Sequence, residues 1–395
     1  MRPVRGAVTV AQVAAAAVVV ARLARGRRRL PALLPRPAAG EPVSVVIPAR
    51  NEEARIGPCL RAALAAPAVR EVIVVDDGSG DGTARLAASL GAVVVTADPL
   101  PPGWVGKQWA LRQGVAAARS DVVVTLDADV RPEPGLFGAL AATLDRYDLV
   151  SAGPRFVCDG PLEQALHASM LATLVYRFGP VGPPSPPPPH RALANGQCMA
   201  FRRARMTETD GFALVRDRMT DDVALARCLA GRGWSVGFLD AGGLLEVDMH
   251  DSAGELWREW GRSLPLADVT GPGWQAADLA VVWLTAALPV LRLAAGRPTG
   301  LDLALLGLRV SLTAALRGSY RRPGAGLLLS PLLDPAAAFR LTQATVRPVR
   351  RWRGRTYGQV TGGGRTYGEV SGGGRTYGEV SGGGRPARPA RSGAR

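Results

Sequence analysis

Residues 121–129, DVVVTLDAD, combine a run of β-branched residues with two aspartates that are one residue apart. Such a run is typical of a buried parallel strand, and the aspartates then follow at its carboxyl end. Similar apolar runs occur at 43–48, 71–76 and 92–96, and stretches with helical spacing separate the four runs at 52–65, 81–90 and 107–119. This alternation predicts an α/β fold with a mostly parallel, Rossmann-like central sheet flanked by helices.

Polar clusters directly follow three of these runs. The clusters are Pro48-Ala49-Arg50-Asn51-Glu52, Asp76-Asp77-Gly78-Ser79 and Asp127-Ala128-Asp129. Ligands of open α/β sheets bind beyond the carboxyl ends of the strands, so we expect the three clusters to meet at one edge of the sheet.

Asp127 and Asp129 are the candidate metal ligands. Mg²⁺ and Mn²⁺ prefer oxygen ligands and commonly bind through one or two carboxylates together with substrate phosphates. Alternate residues of a strand point to opposite sides, so the chain must bend after Asp127 if both carboxylates are to reach one cation. Surface turns also produce such pairs, and it is the position after the fourth strand that favours a metal site.

Asp76 and Asp77 are candidate ligands for a nucleoside, because carboxylates accept hydrogen bonds from ribose hydroxyls and base N–H groups. The alternative is structural, since Asp-Gly-Ser-Gly is also a favourable turn. We expect Asp81 to serve as the N-cap of the following helix.

Three segments together resemble the inverting family 2 glycosyltransferases with the GT-A fold. VSVVIPARNEEARI, VIVVDDGSGDGT and LDADV occur in that family's order, and the resemblance extends over residues 43–263. It implies transfer of a sugar from a nucleotide-sugar donor, commonly UDP-linked, with Mg²⁺ or Mn²⁺ on the diphosphate. It also implies a set of donor-binding residues, of which the last two hold the metal: Pro48, Glu52, Asp76, Asp77, Lys107, Asp127 and Asp129.

Two further segments, PPGWVGKQWALRQG (101–114) and NGQCMAFRR (195–203), resemble membrane glycosyltransferases of carotenoid and hopanoid pathways. This resemblance implies a lipid or isoprenoid acceptor and places Gly103-Trp104 and Gly106-Lys107 in the donor pocket. Lys107 is the only lysine of the chain and stands at a predicted helix start, where it can contact a phosphate. A solvated surface lysine is the alternative.

Thr220-Asp221-Asp222 opens a predicted helix over 220–233, with Thr220 as its N-cap. In the resembled family the second acidic residue of such a pair is the general base, so the resemblance implies Asp222 as the base. Asp221 then supports it or binds the acceptor. The structural alternative is that both carboxylates stabilise the helix N-terminus, and the two roles are compatible.

Residues 255–262, ELWREWGR, stand where processive members of the family carry Gln-x-x-Arg-Trp. The absence of that motif favours a single transfer over polymer synthesis. The candidates for the acceptor or diphosphate side in this segment are Trp257, Arg258, Trp260 and Arg262. The histidines lack metal-ligand spacing and are expected to be structural or surface residues: His167, His190 and His250.

The sequence predicts five regions. They are an N-terminal signal-anchor helix (1–30), a linker (31–42), the GT-A domain (43–263), a hydrophobic helical membrane region (264–346) and an Arg/Gly-rich tail (347–395). Arginines directly after the first apolar segment predict a cell-membrane protein whose catalytic domain faces the cytoplasm. A signal peptide is the alternative for the first segment, and a buried helical subdomain is the alternative for 264–346.

The net charge of +15 would suit a nucleic-acid partner, but eleven arginines and two glutamates of the tail account for much of it. The remaining cations flank apolar segments, which favours a membrane surface over nucleic acid. Three ten-residue Gly-rich repeats in the tail predict disorder.

Two other functions remain possible from the sequence. A nucleotidyltransferase shares the sheet and the metal, but it is expected to carry a Gly-rich basic loop after the first strand, where this chain has ARNEEARI. A catalytically idle membrane scaffold that binds anionic lipid through its basic tail is the other alternative.

Overall fold

The computed structural model describes residues 2–38, 40–248, 250, 252–347, 351–352, 355–360 and 366–370. Along the chain, a long N-terminal helix comes first, an α/β domain follows it, and a group of helices follows the domain.

The first four strands closely follow the four predicted apolar runs. The described strands are β1 Val43–Ala49, β2 Val69–Asp76, β3 Val93–Thr96, β4 Val122–Leu126, β5 Val130–Pro132, β6 Leu149–Gly153, β7 Arg155–Phe156, β8 Cys198–Arg202, β9 Val236–Asp240, β10 Leu245–Val247, β11 Arg351–Trp352, β12 Arg355–Val360 and β13 Thr366–Val370.

The helices alternate with the first strands and then follow one another towards the C-terminus. They are α1 Arg2–Ala24, α2 Ile56–Leu64, α3 Thr83–Ser89, α4 Gly106–Ala117, α5 Leu136–Thr143, α6 Pro161–Phe178, α7 Arg203–Thr209, α8 Asp221–Ala230, α9 Ala253–Ser263, α10 Pro272–Val282, α11 Leu288–Ala294, α12 Gly300–Ala315, α13 Ala325–Leu329 and α14 Asp334–Val346.

The central sheet has seven strands in the order β3-β2-β1-β4-β8-β6-β9. The four strands predicted to be parallel are parallel and adjacent, with β1 between β2 and β4. β8 runs antiparallel to both of its neighbours. The carboxyl ends of β1, β2 and β4 therefore share one edge of the sheet, as the sequence predicts.

Apolar residues from both faces of this sheet form two core clusters, one with α2 and α5 and the other with α4 and α8. Gly114 of α4 permits the close approach of that helix, because a Cβ there would lie 2.3 Å from Val46 Cγ1 and 2.8 Å from Val75 Cγ2. The position of α4, whose first turn carries Lys107, thus depends on a residue without a side chain.

The polar interruptions of the apolar helices contact one another. Gln12 of α1 donates to Asp302 Oδ1 of α12 at 2.7 Å, and Arg292 of α11 lies 3.3 Å from Asp302 Oδ2. A π-helical stretch, Trp283–Ala287, joins α10 to α11 just before Pro289, whose ring would clash in a regular α-helix. Gly6–Arg28 and Pro272–Ala294 are long and apolar enough to cross a membrane, by length and composition only.

Three short strands of the tail are among the described residues. β12 and β13 pair antiparallel, with Tyr357 opposite Glu369 and Gln359 opposite Tyr367. The repeat Arg-Thr-Tyr-Gly-Glu-Val contains β-branched and aromatic residues, which favour strands. The remainder of the tail prediction lies outside the described residues.

Candidate functional site

The first two polar clusters form one hydrogen-bonded unit. The N–H of Asp77 donates to the Ala49 carbonyl at 2.9 Å, and the Arg50 guanidinium donates to the Asp77 carbonyl. Asn51, at a φ of 55°, accepts from the N–H of Gly80 at 2.8 Å. Asparagine tolerates this left-handed conformation better than most residues, so it suits the turn after β1. The loops that follow β1 and β2 are therefore held together.

Asp76, Asp77 and Glu52 are buried in this unit. Asp76 Oδ2 accepts from the N–H of Ser79 at 3.3 Å, so the predicted turn forms. Asp76 Oδ1 is buried and has no hydrogen-bond partner among the described residues. A buried carboxylate oxygen without a donor is costly, and a ligand hydroxyl or N–H could supply one.

Asp81 does not occupy the N-cap position of α3, as predicted, but the position directly before it. Gly82 is the residue at the N-cap of α3, and Asp81 Oδ1 accepts from the N–H of Thr83 at 3.0 Å. The carboxylate still satisfies a donor of the first helical turn, which is the physical role of a cap.

One cavity of about 1060 Å³ opens at the carboxyl edge of the sheet. It brings together seven of the predicted residues, from five separate segments of the chain: Pro48, Glu52, Lys107, Asp127, Asp129, Asp222 and Trp260. Asp76, Asp77 and Asp221 are not among its lining residues. Asp76 ends β2 and Asp127 follows β4, and both strands run parallel to β1, which lies between them. Both aspartates therefore lie at the same edge of the sheet.

Lys107 lies between two sets of carboxylates in this cavity. Its Nζ is 2.8 Å from Asp127 Oδ1 and 3.9 Å from Asp221 Oδ2, and only 15% of its side chain is exposed. Burial acts to lower the pKa of Lys107, but the charges of Asp127 and Asp221 outweigh it and raise the pKa above its usual value. The ammonium group is therefore a fixed positive charge in the site.

Asp222 has the titration behaviour of a base that works near neutral pH. Burial and the neighbouring Asp221 raise the pKa of Asp222 to about 6, although Lys107 acts to lower it. Its oxygens accept from the N–H groups of Gly196 and Val223, both at 2.8 Å. An efficient general base has a pKa close to the working pH, so this carboxylate suits that role.

The start of α8 differs from the predicted cap. Thr220 occupies the N-cap position, but its side chain makes no capping bond and donates instead to Asp268. Asp268 also accepts from the N–H groups of Met219 at 2.8 Å and Thr220 at 3.0 Å. A carboxylate nearly fifty residues further along the chain thus fixes the backbone that leads into Asp222.

The turn Asn195-Gly196-Gln197 joins the base to the metal-site strand. The Gly196 N–H reaches Asp222, while the Gln197 carbonyl accepts from the N–H of Asp127 at 3.0 Å. A Cβ on Gly196 would lie 3.0 Å from Asp222 Cβ and 3.4 Å from Lys107 Nζ. The sequence indicates only a resemblance for this segment, and no pattern in it identifies Gly196 as a contact of the base.

α9 contributes part of the candidate acceptor side. Trp260 is buried and lines the cavity. Trp257 instead packs under the Arg340 guanidinium, 5.6 Å from the ring centre, and Arg258 is exposed. Neither Trp257 nor Arg258 is among the lining residues. The side chain of Arg262 lies outside the described part of the chain.

Several cavity residues had no signal in the sequence. Glu255 and Glu259 of α9 line it, as does His250, which was expected to be a structural or surface residue. Three arginines that directly follow α1 line it as well: Arg25, Arg28 and Arg29. Their approach depends on contacts between distant segments, such as the 2.8 Å bond from the Leu30 N–H to the Gly182 carbonyl.

The carboxylates at the end of β4 fit a divalent cation that also binds phosphates. Among the described residues, no group of three or more His, Cys, Asp or Glu side chains is arranged to hold a metal by itself. Mg²⁺ typically takes only one or two protein carboxylates and completes its shell with phosphates and water. Asp127 and Asp129 are such a pair, beside a lysine suited to the same phosphates.

Comparison with known proteins agrees with this geometry. Residues 44–205 match the family described as "Glycosyl transferase family 2". The chain is 45% identical over 89 residues to 4,4'-diaponeurosporenoate glycosyltransferase of Staphylococcus aureus, a match that covers 22% of this chain and 24% of that relative. The chain thus spans about a quarter of the length of the curated relatives it matches.

Among solved structures, the chain is similar to glucosyl-3-phosphoglycerate synthase of Mycobacterium tuberculosis in complex with Mn²⁺, uridine diphosphate and phosphoglyceric acid. That similarity has 27% identity and a TM-score of 0.35, and covers 55% of this chain and 74% of the other. A further structure of that synthase gives 25% identity and a TM-score of 0.36, with 57% and 79% covered.

Proposed function

The chain carries a family 2 glycosyltransferase domain over residues 44–205, and from this premise we propose that it moves a sugar from a UDP-linked donor to a lipid acceptor in one inverting step. The transfer is single, and it depends on a divalent cation. The observation that carries the proposal is the meeting of Asp127, Lys107 and Asp222 in one cavity, although 95 residues of chain separate the two aspartates.

The donor diphosphate occupies the end of β4. Asp129 and Asp127 would hold the cation, which would supply positive charge to the departing diphosphate. Lys107 adds a positive charge next to the same group, since its ammonium is held by Asp127 at the start of α4. Pro48 and Glu52 line the cavity at the end of β1. Asp76 and Asp77, at the end of the neighbouring strand, accept hydrogen bonds from the nucleoside, and the buried Asp76 Oδ1 has no other donor among the described residues.

Asp222 removes the proton from the acceptor hydroxyl group as its oxygen attacks the anomeric carbon and UDP leaves from the opposite face. An acceptor carboxyl group is already ionised at neutral pH and needs no base. A pKa of about 6 leaves this carboxylate ionised at neutral pH and still basic enough to take a proton. The N–H groups of Gly196 and Val223 fix its two oxygens, so it is oriented before the acceptor arrives. Asp221 supports it through its own charge and through Lys107.

Three observations support a lipid acceptor at a membrane. The curated relative acts on 4,4'-diaponeurosporenoate. Two helices of this chain have the length and apolar character of membrane spans, and only 22% and 39% of their apolar windows are buried. Arginines follow the first of these helices and line the cavity, which is the arrangement expected where a catalytic domain meets the cytoplasmic face of a bilayer.

The test is mass spectrometry of lipids incubated with the purified full-length chain, Mn²⁺ or Mg²⁺, and a panel of UDP-sugars. We expect a lipid whose mass rises by one hexose, with release of UDP that stops when a chelator is added. An Asp210→Asn variant, changed at an exposed position away from the cavity, should behave like the wild type. Release of the sugar 1-phosphate instead of UDP would indicate transfer of the nucleotidyl group, and no metal-dependent turnover with any donor would contradict the proposal.

A further inference from the structure

The cavity that holds the carboxylates continues into an apolar part. Along α6 it is lined by Leu171, Leu174, Val175 and Phe178. Their spacing of i, i+3, i+4 and i+7 places them on one face of the helix. All four are only partly buried, whereas the intervening positions of α6 are buried in the protein. One apolar stripe of α6 therefore faces open space inside the cavity.

α12 supplies a second apolar stripe. Leu312, Ala315 and Leu316 line the cavity at positions i, i+3 and i+4, followed by Gly318 and Ser319. Ala315 and Gly318 are exposed, so small residues border the space where this stripe meets the surface. We call the part of the cavity that is lined by the α6 and α12 stripes the apolar arm.

The apolar arm is continuous with the reacting end of the site, because both belong to one cavity that also contains Asp222 and Trp260. A cavity of about 1060 Å³ lies at the top of the range of about 300–1,000 Å³ that is usual for small-molecule sites. It therefore has room for a second molecule beside a nucleotide sugar.

The outer surface of the same helix is apolar. Leu303 and Val310 of α12 are 54% and 61% exposed, and α14 exposes Phe339 by 54%. Leu303 and Val310 are two turns apart on one face of α12. An exposed apolar helix face indicates contact with a membrane or with a partner protein. A molecule dissolved in a bilayer would thus meet α12 first and the apolar arm next.

We propose that the apolar arm binds the hydrocarbon chain of the acceptor, which enters from the bilayer beside α12 and brings its polar end to Asp222. This inference rests on the proposed function. A nucleotide sugar does not match the arm, because it is polar along its length. Residues 361–395 do not match it either, since their composition is dominated by Gly, Arg, Ser and Pro. A hydrocarbon chain matches both stripes.

The test is photolabelling of the full-length protein in lipid nanodiscs with a diazirine-bearing long-chain fatty acid, followed by peptide mass spectrometry. We expect labels within 171–178 and 312–316. Ala315→Trp places a large side chain in the arm at an exposed position and should reduce labelling of 171–178 by about ten-fold, which corresponds to a loss of about 1.4 kcal/mol in binding. Ala314→Trp is the matched control, since Ala314 is also exposed on α12 but does not line the cavity, and it should be labelled like the wild type.

Equal labelling of the two variants would overturn the inference, as would labels found only on the outer faces of α12 and α14. Thermal melting of both variants shows whether either has lost its fold, and a second arm variant, Leu174→Trp, repeats the test from α6. UDP release by the wild type is measured in the same preparation. Its absence would count against the proposed function, whereas the labelling pattern alone decides whether the arm binds a hydrocarbon chain.

Discussion

The Lys107 ammonium lies 2.8 Å from Asp127 Oδ1, and this contact connects the candidate metal site to the candidate base. Asp221, next to the base, lies 3.9 Å from the same nitrogen. A change of charge at Asp127 should therefore change the pKa values of Asp221 and Asp222, and the reverse, because the groups share a poorly solvated site.

Removal of Lys107 should change the pH dependence of transfer. Lys107 lowers the pKa of Asp222, so in Lys107→Met the pKa of Asp222 should rise above about 6. Because the base must be ionised, the rate falls as the pH falls through this pKa. The acid limb of kcat/KM should therefore move to higher pH by about one pH unit. The check is a pH–rate profile, with Lys107→Arg as the charge-preserving control. An acid limb that does not move would exclude this electrostatic coupling.

Asp129→Asn should weaken metal binding more than it destabilises the fold. The variant loses one of two carboxylates available to the cation, so the dissociation constant of the metal should rise by about 10–100-fold. Titration with Mn²⁺ in the presence of UDP measures this without turnover. Asp145→Asn, at an exposed position away from the site, serves as the control and should leave the titration unchanged. Unaltered metal dependence in Asp129→Asn would remove Asp129 from the metal site.

Gly196→Ala tests the turn that orients the base. The added methyl group would lie 3.0 Å from Asp222 Cβ, closer than ordinary van der Waals contact, so the base must shift. A shift of a few tenths of an ångström at a reacting group should lower kcat by at least about ten-fold with a smaller effect on donor affinity. Gly243→Ala, where a Cβ meets nothing within 4 Å, is the control. Equal kcat values for the two variants would show that the turn is not needed for orientation.

Asp302→Leu should loosen the N-terminal helix. Asp302 is fully buried and accepts from Gln12 at 2.7 Å and from the Thr299 N–H at 2.8 Å. Its loss leaves the polar groups of Gln12 and Arg292 without their carboxylate, which should destabilise the protein by about 3 kcal/mol. Thermal unfolding in detergent, with Leu303→Ala as the control for an exposed neighbour, gives the comparison. A melting temperature equal to that of the control would show that this contact does not hold α1.

The strands and the edge where the polar clusters meet could be predicted from the sequence, because both follow from local patterns. β-branched runs identify buried strands, and the carboxyl ends of parallel strands necessarily share an edge. The structure confirms the alternation of β1 to β4 with α2 to α4. It also places Asp127 and Asp129 at one cavity. The roles of these residues in donor and metal binding stay predictions.

Contacts between distant segments could not be predicted. Gln12 and Arg292 are polar residues within apolar helices, and nothing in the sequence explains them. The structure does, because both side chains contact Asp302. Asp268 satisfies the backbone before Asp222, and Gly196 reaches that aspartate across 26 residues of chain. No local pattern distinguishes these residues, since each depends on the packing of complete elements.

The most direct measurement compares Asp222→Asn with the wild type in sugar transfer and in donor binding. Asparagine keeps the size of the side chain but cannot take a proton, so kcat should fall by about 10²–10⁴-fold. Donor affinity, measured by titration with the UDP-sugar and Mn²⁺, should stay within about two-fold, because in the proposed mechanism Asp222 contacts the acceptor and not the donor. Wild-type turnover by Asp222→Asn, or loss of donor binding in parallel with loss of turnover, would contradict the assignment of Asp222 as the base.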